Sequence, residues 1–111
     1  MKKIIVILFM CLILLGCTKT DKIIKLMEEN EYIILDVRTN EEYEKEHLKD
    51  SINIPYDEIN ENIELDKNKL ILVYCQSGNR SSIATSTLTQ LGYNVYDMGG
   101  INSINLPKES K

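Results

Sequence analysis

The sequence predicts an α/β domain, a small parallel β-sheet with helices on both faces, and three observations carry that reading. Short apolar runs alternate with segments of helical spacing along the chain. Leu70-Ile71-Leu72-Val73-Tyr74 is apolar without alternation, as suits a strand covered on both sides. A polar loop, Gln76 to Arg80, then leads into Ile83, Ala84, Thr87, Leu88 and Leu91, which recur at helical spacing until Gly92 stops them.

The other elements follow in order. Thr20-Asp21 can cap a short helix whose apolar face is Ile23, Ile24, Leu26 and Met27, ending near Asn30. Ile33-Ile34-Leu35 reads as a buried strand closed by Asp36-Val37-Arg38. Thr39-Asn40-Glu41-Glu42 has capping-box spacing for a helix running into Tyr43 and Glu44. Ile52-Asn53-Ile54 is a short segment stopped by Pro55, and the stretch with Ile59, Ile63 and Leu65 reads as helical. Asn94-Val95-Tyr96-Asp97 gives a last short strand, followed by a turn at Gly99-Gly100, a brief helix and a fraying polar tail to Lys111. Strands alternating with helices imply right-handed crossovers.

The 111 residues carry 13 basic and 17 acidic side chains, a net charge of −4. That acidic balance argues against a nucleic-acid partner. With 43% hydrophobic residues, 5 Gly and 2 Pro, the chain is not of disordered, collagenous or low-complexity type. At the start, Lys2 and Lys3 lead into twelve apolar residues, Ile4 to Leu15. A bilayer-crossing helix needs about 20, so the run reads as an export signal. Leu14-Leu15-Gly16-Cys17 resembles the lipobox of bacterial lipoproteins. The resemblance implies a signal peptide at 1–16, acylation of Cys17, a short tether at 17–20 and a folded domain at 21–111. It also implies an extracytoplasmic location, the protein being anchored to the cell membrane through lipid on Cys17. An uncleaved anchor and a cytosolic chain with an apolar arm are the alternatives.

On that reading Cys11 leaves with the signal, Cys17 is occupied by lipid and Cys75 alone is free. One exported thiol cannot staple a fold, so it calls for a reactive role or an intermolecular partner. Cys75 stands at the carboxyl end of the strongest strand, where ligands gather in open α/β sheets. The next residues, Gln76, Ser77, Gly78, Asn79 and Arg80, open a helix, so backbone N–H groups would point toward the sulfur. Such a setting lowers a thiol pKa from about 8.5. A strand-end Cys by itself is ordinarily a small buried hydrophobe; the polar loop is what argues otherwise. The chain has eleven Lys but only Arg38 and Arg80, both beyond strand ends, which suggests that a bidentate fork is needed there. One His and one free Cys give no metal-site spacing. Glu41, Glu42, Glu44 and Glu46 read most simply as a solvated helical face.

Three ordered segments resemble the single-domain rhodanese-like sulfurtransferases. Leu35 to Tyr43, with His47-Leu48 and Ile52 to Pro55, is similar to the family's first signature; Val73 to Ser81 resembles its active-site loop; Tyr96 to Ile101 resembles its closing segment. The resemblance implies that Cys75 takes a sulfane sulfur from a small anionic donor such as thiosulfate, becomes a persulfide, and passes the sulfur to a thiol or cyanide. Gln76, Ser77, Gly78 and Asn79 would bind substrate mainly through their backbones, and Arg80 through its guanidinium. Asp36 and Arg38 would brace the loop, and His47 would be structural. No metal or organic cofactor is implied, and a monomer is the expectation. Glu46 and Asp50 stand where the family commonly has Gly, and Ile104 where it often has Trp, which puts local turns and rim contacts in question. Other readings are a Cys-based phosphatase or arsenate reductase, a non-catalytic binding module, and thiol exchange with a partner disulfide. Four residues between Cys75 and Arg80, rather than five, weigh against the first, and retention of the loop Cys against the second.

Overall fold

The computed structural model describes residues 18–110. The signal peptide expected at 1–16 and the lipidation expected at Cys17 lie outside the described residues. Helix α1 is Lys19–Glu29. It starts earlier than expected, because Thr18 rather than Thr20 is followed three residues on by an acid. Thr18 Oγ1 accepts from the Asp21 amide, and Asp21 accepts from the Thr18 amide, closing a capping box. Of the expected 17–20 tether, Lys19 and Thr20 are therefore helical. Ile23 is buried, whereas Ile24, expected on the same face, is exposed.

Strand β1 (Tyr32–Asp36) leads to helix α2 (Asn40–Lys45), two short strands β2 (His47–Leu48) and β3 (Ile52–Asn53), and a 3-10 turn at Tyr56–Glu58. Strand β4 (Leu70–Cys75) feeds helix α3 (Asn79–Gln90), strand β5 (Asn94–Gly100), a 3-10 turn at Ile101–Ser103 and strand β6 (Lys108–Glu109). Four strands form one parallel sheet in the order β3-β1-β4-β5, which is the predicted class with β4 inside it.

The unbroken apolar run of β4 has the consequence expected of it. Ile71, Val73 and Cys75 face one core with Ala84, Leu88 and Tyr93; Leu72 and Tyr74 face a second with Ile23, Leu48, Met98, Ile101 and Ile104. Alternate side chains thus bury on opposite faces, one under α3 and the other under α1. Ile104, standing where the resemblance leads one to expect Trp, is packed into the second core.

Three expectations fail, the first being the turn at Gly99-Gly100, which instead belongs to strand β5. The stretch holding Ile59, Ile63 and Leu65 is not a helix. Its polar residues close local turns instead: the Asn60 side chain accepts from the Asn62 amide and that of Asp66 from the Asn68 amide, both at 2.8 Å. Among the described residues the C-terminal tail is tied down rather than frayed, since β6 pairs antiparallel with β2, and the Glu109 carboxylate meets His47 Nε2 at 3.2 Å. Asp50 adopts φ 66°, the left-handed region that Gly occupies without strain. His47 is buried, stacked on Tyr43 with ring centroids 3.8 Å apart, and its Nδ1 lies 2.6 Å from the Tyr43 carbonyl.

Candidate active site

Helix α3 begins without a side-chain cap. Its N-cap is Gly78, at φ 102°, which offers no acceptor for the free amides of the first turn. The sulfur of Cys75 supplies one: the Gly78 amide donates to Sγ at 2.9 Å. Burial pushes the Cys75 thiol up, but the Ser81 hydroxyl and the amides of Ser81, Gly78 and Ser77 outweigh it and hold the pKa below its ordinary value. Ser81 is buried and its hydroxyl also lies 3.1 Å from the Gly78 carbonyl. Its single proton turns to the stronger acceptor once the thiolate forms. Cys75 itself is buried at the strand end, below the exposed side chains of Gln76, Ser77 and Asn79.

Strand β5 props this loop from beneath. A bulge between Val73 and Tyr74 in the β4–β5 pairing, with Gly99 at φ 83°, sets Gly100 opposite Cys75. A Cβ on Gly100 would meet the Gln76 carbonyl oxygen at 2.7 Å and Ser77 Cα at 3.2 Å. Only glycine permits so close a seat for the loop.

On the other flank, Asp36 and Arg38 are both buried. Arg38 Nη2 reaches Asp36 Oδ2 at 2.7 Å, its Nε contacts both carboxylate oxygens, and its backbone amide donates to Oδ1 at 2.8 Å. Its remaining donors go to the Gln76 side-chain oxygen at 3.0 Å and the Glu46 carbonyl at 2.5 Å. Burial works against the guanidinium's proton, yet the hydrogen bond and charge of Asp36 prevail and raise its pKa. Asp36 and Arg38 thus hold the loop through Gln76, whose side chain takes part where mainly its backbone was expected to. Buried Tyr74 adds its ring under Arg38 at 5.6 Å, and its hydroxyl accepts from the Leu48 amide at 3.0 Å.

Arg80 differs from expectation. Its fork is turned to Glu42, Nη1 to Oε1 at 2.7 Å and Nη2 to Oε2 at 3.0 Å, rather than standing free for an oxyanion. Glu42, read from the sequence as part of a solvated face, also accepts from the Thr39 amide and hydroxyl. The Arg80 hydrogen bond above all, opposed by burial and helped by Thr39, holds the Glu42 carboxyl at about 2. Arg80 is raised correspondingly, by the same hydrogen bond first. Asn79 opens α3 at the exposed rim. Sequence reasoning missed Glu42, Ser81 and Gly100 as site residues. The Thr39–Glu42 box was readable, but its second partner lies 38 residues away. Among the described residues no cluster of His, Cys, Asp or Glu could hold a metal ion.

A thiol-bearing strand end, an amide nest at a helix start and a braced loop meet at the carboxyl edge of a parallel sheet. The rhodanese-like domain family matches residues 19–106. The chain belongs to the rhodanese-like family. It is 41% identical over 78 residues to the thiosulfate sulfurtransferase PspE of Escherichia coli K12, covering 67% of this chain and 75% of that one. It is 43% identical over 61 residues to the putative sulfur carrier protein YrkF of Bacillus subtilis, covering 54% of this chain and 33% of that one. Among solved structures, a rhodanese with anions from Escherichia coli superposes with TM-score 0.66 at 35% identity, covering 72% of this chain and 99% of that one. The BH2092 protein of Bacillus halodurans gives TM-score 0.71 at 33% identity, covering 83% of this chain and 74% of that one.

Proposed function

We propose that this protein is a sulfurtransferase in which Cys75 carries the transferred sulfur. The Cys75 thiolate attacks the outer sulfur of a sulfane donor such as thiosulfate. A new S–S bond forms, the donor's S–S bond breaks, and sulfite leaves with the bonding pair. The persulfide on Cys75 then yields its outer sulfur to a thiophilic acceptor such as a thiol or cyanide, and the thiolate is regenerated. The loop amides stabilise the thiolate, and amides of the same loop would hold the persulfide anion. The observation that carries this reading is the hydrogen bond from the Gly78 amide to Sγ at 2.9 Å. Membership of the rhodanese-like family and the likeness to PspE support it.

The test is intact mass after incubation with thiosulfate. The wild-type protein gains the mass of one sulfur atom and Cys75→Ser does not; an equal gain in the variant refutes the assignment. We further propose export and anchoring of a monomeric domain through lipid on Cys17, supported by Lys2, Lys3, the apolar run and Gly16-Cys17. Labelled fatty acid should enter the protein in cells and be lost in Cys17→Ala. Labelling that persists in that variant contradicts the lipobox reading.

A further inference from the structure

The charges around Cys75 cancel in pairs. The chain has two arginines, and each is committed to a carboxylate, Arg38 to Asp36 and Arg80 to Glu42. The groups that do most to hold the thiol down are uncharged, the Ser81 hydroxyl and three amides. A thiolate meeting thiosulfate brings three negative charges together. A thiolate meeting a protonated persulfide, or another donor of low charge, brings fewer. Amide dipoles serve the second encounter well; for the first, an unpaired cation is needed to offset the repulsion.

Resting on the sulfurtransferase reading above, the geometry points to Glu42 as a specificity-determining residue: by occupying the Arg80 fork it tunes the site toward persulfide donors of low charge and against the thiosulfate dianion. The pair lies within electrostatic reach of the thiol, since Arg80 and Cys75 act on one another's charge. Arg80 belongs to the first turn of α3, whose amides face Sγ, and the Arg80 and Glu42 side chains are 27% and 31% exposed, reachable from solvent rather than locked in the core. Glu42 is fixed from its own side by Thr39, so Arg80 is held by an anchored partner. The favoured step balances without a co-reactant. The Cys75 thiolate attacks the outer sulfur of R–S–SH, the donor S–S bond breaks, R–S⁻ leaves, and Cys75–S–SH remains. Glu42 does not touch the reacting atoms in this account. It is a positioning residue acting through Arg80.

The test measures kcat/KM of the full chain for thiosulfate and for cysteamine persulfide, whose ammonium group keeps its net charge near zero, in wild type and in Glu42→Gln. Gln at this position keeps the capping geometry while removing the charge. Freeing one cation beside a dianion should raise the thiosulfate-to-persulfide ratio about tenfold, with most of the change in KM for thiosulfate. A ratio unchanged within about twofold overturns the inference. A second measurement needs no variant: raising ionic strength should speed wild-type transfer from thiosulfate, since salt screens net repulsion. Slowing by salt would show net attraction by a free cation and overturn the inference equally. Uptake from neither donor would instead remove the sulfurtransferase reading itself.

Discussion

Gly100→Ala isolates the support beneath the loop. The added Cβ would lie 2.7 Å from the Gln76 carbonyl oxygen, against an ordinary contact beginning at 3.4 Å. The shortfall is about 0.7 Å, and the neighbour is backbone, which cannot swing aside as a flexible side chain could. A loop displaced by that amount lengthens the 2.9 Å contact from the Gly78 amide to Sγ to about 3.6 Å, weakening it without breaking it. Overpacking should lower stability by about 1–3 kcal/mol. Weakening a hydrogen bond to a charged sulfur, worth about 1.5–3 kcal/mol when intact, by about half should slow sulfur uptake roughly 3- to 10-fold. Gly92→Ala is the matched control. At φ 96°, with nothing nearer its Cβ than Lys67 Nζ at 3.7 Å, it suffers backbone strain of about 1–2 kcal/mol but not the clash. Urea denaturation and persulfide formation by mass, followed in time, read both effects. If Gly100→Ala loses stability but transfers sulfur at the rate of Gly92→Ala, the strand does not prop the loop.

Three further outcomes are expected. Asp36→Asn leaves the buried Arg38 charge without its counter-ion and should cost about 3–5 kcal/mol in urea denaturation; a loss under about 1 kcal/mol would mean that the pair is dispensable. Asp50→Gly relieves the φ of 66° and should gain about 0.5–1 kcal/mol, read as a higher denaturation midpoint, and a lower midpoint would count against that assignment. Glu42 has a folded pKa of about 2, depressed from 4.5. Its stabilisation is therefore complete above pH 4.5 and lost as pH falls toward 2, so wild type should lose about 1–2 kcal/mol there, after discounting for solvent screening, that Glu42→Gln does not. Parallel stability curves for the two proteins across that window would contradict the pairing.

How far the fold could be read depended on whether the deciding interactions were local. Strand β4 was legible because its apolar residues run together, and a strand with two buried faces writes itself that way. The Thr39–Glu42 box was legible for the same reason. The segment from Ile59 to Leu65 misled because its apolar spacing resembles a helix while Asn60 and Asp66 close turns with their side chains. On α3 the expected face holds at Ala84, Leu88 and Leu91 but not at Ile83. Ser81, Ala84 and Leu88 face inward and Ile83 is 52% exposed, because the first turn must present Ser81 to the sulfur. The bracing of Gln76 by Arg38, the seat of the loop on Gly100 and the grip of Glu42 on Arg80 each join distant segments, where spacing carries no signal. Pairing of β6 with β2 belongs to the same class.

The decisive measurement is the ionisation of Cys75, followed by ultraviolet thiolate absorbance against pH in a chain carrying Cys11→Ser and Cys17→Ser. If neutral dipoles hold this sulfur as an anion, its midpoint falls below the free-thiol value of about 8.5 and rises in Ser81→Ala. A midpoint at or above about 8.5, unmoved by loss of the Ser81 hydroxyl, would contradict an amide nest that activates the thiol.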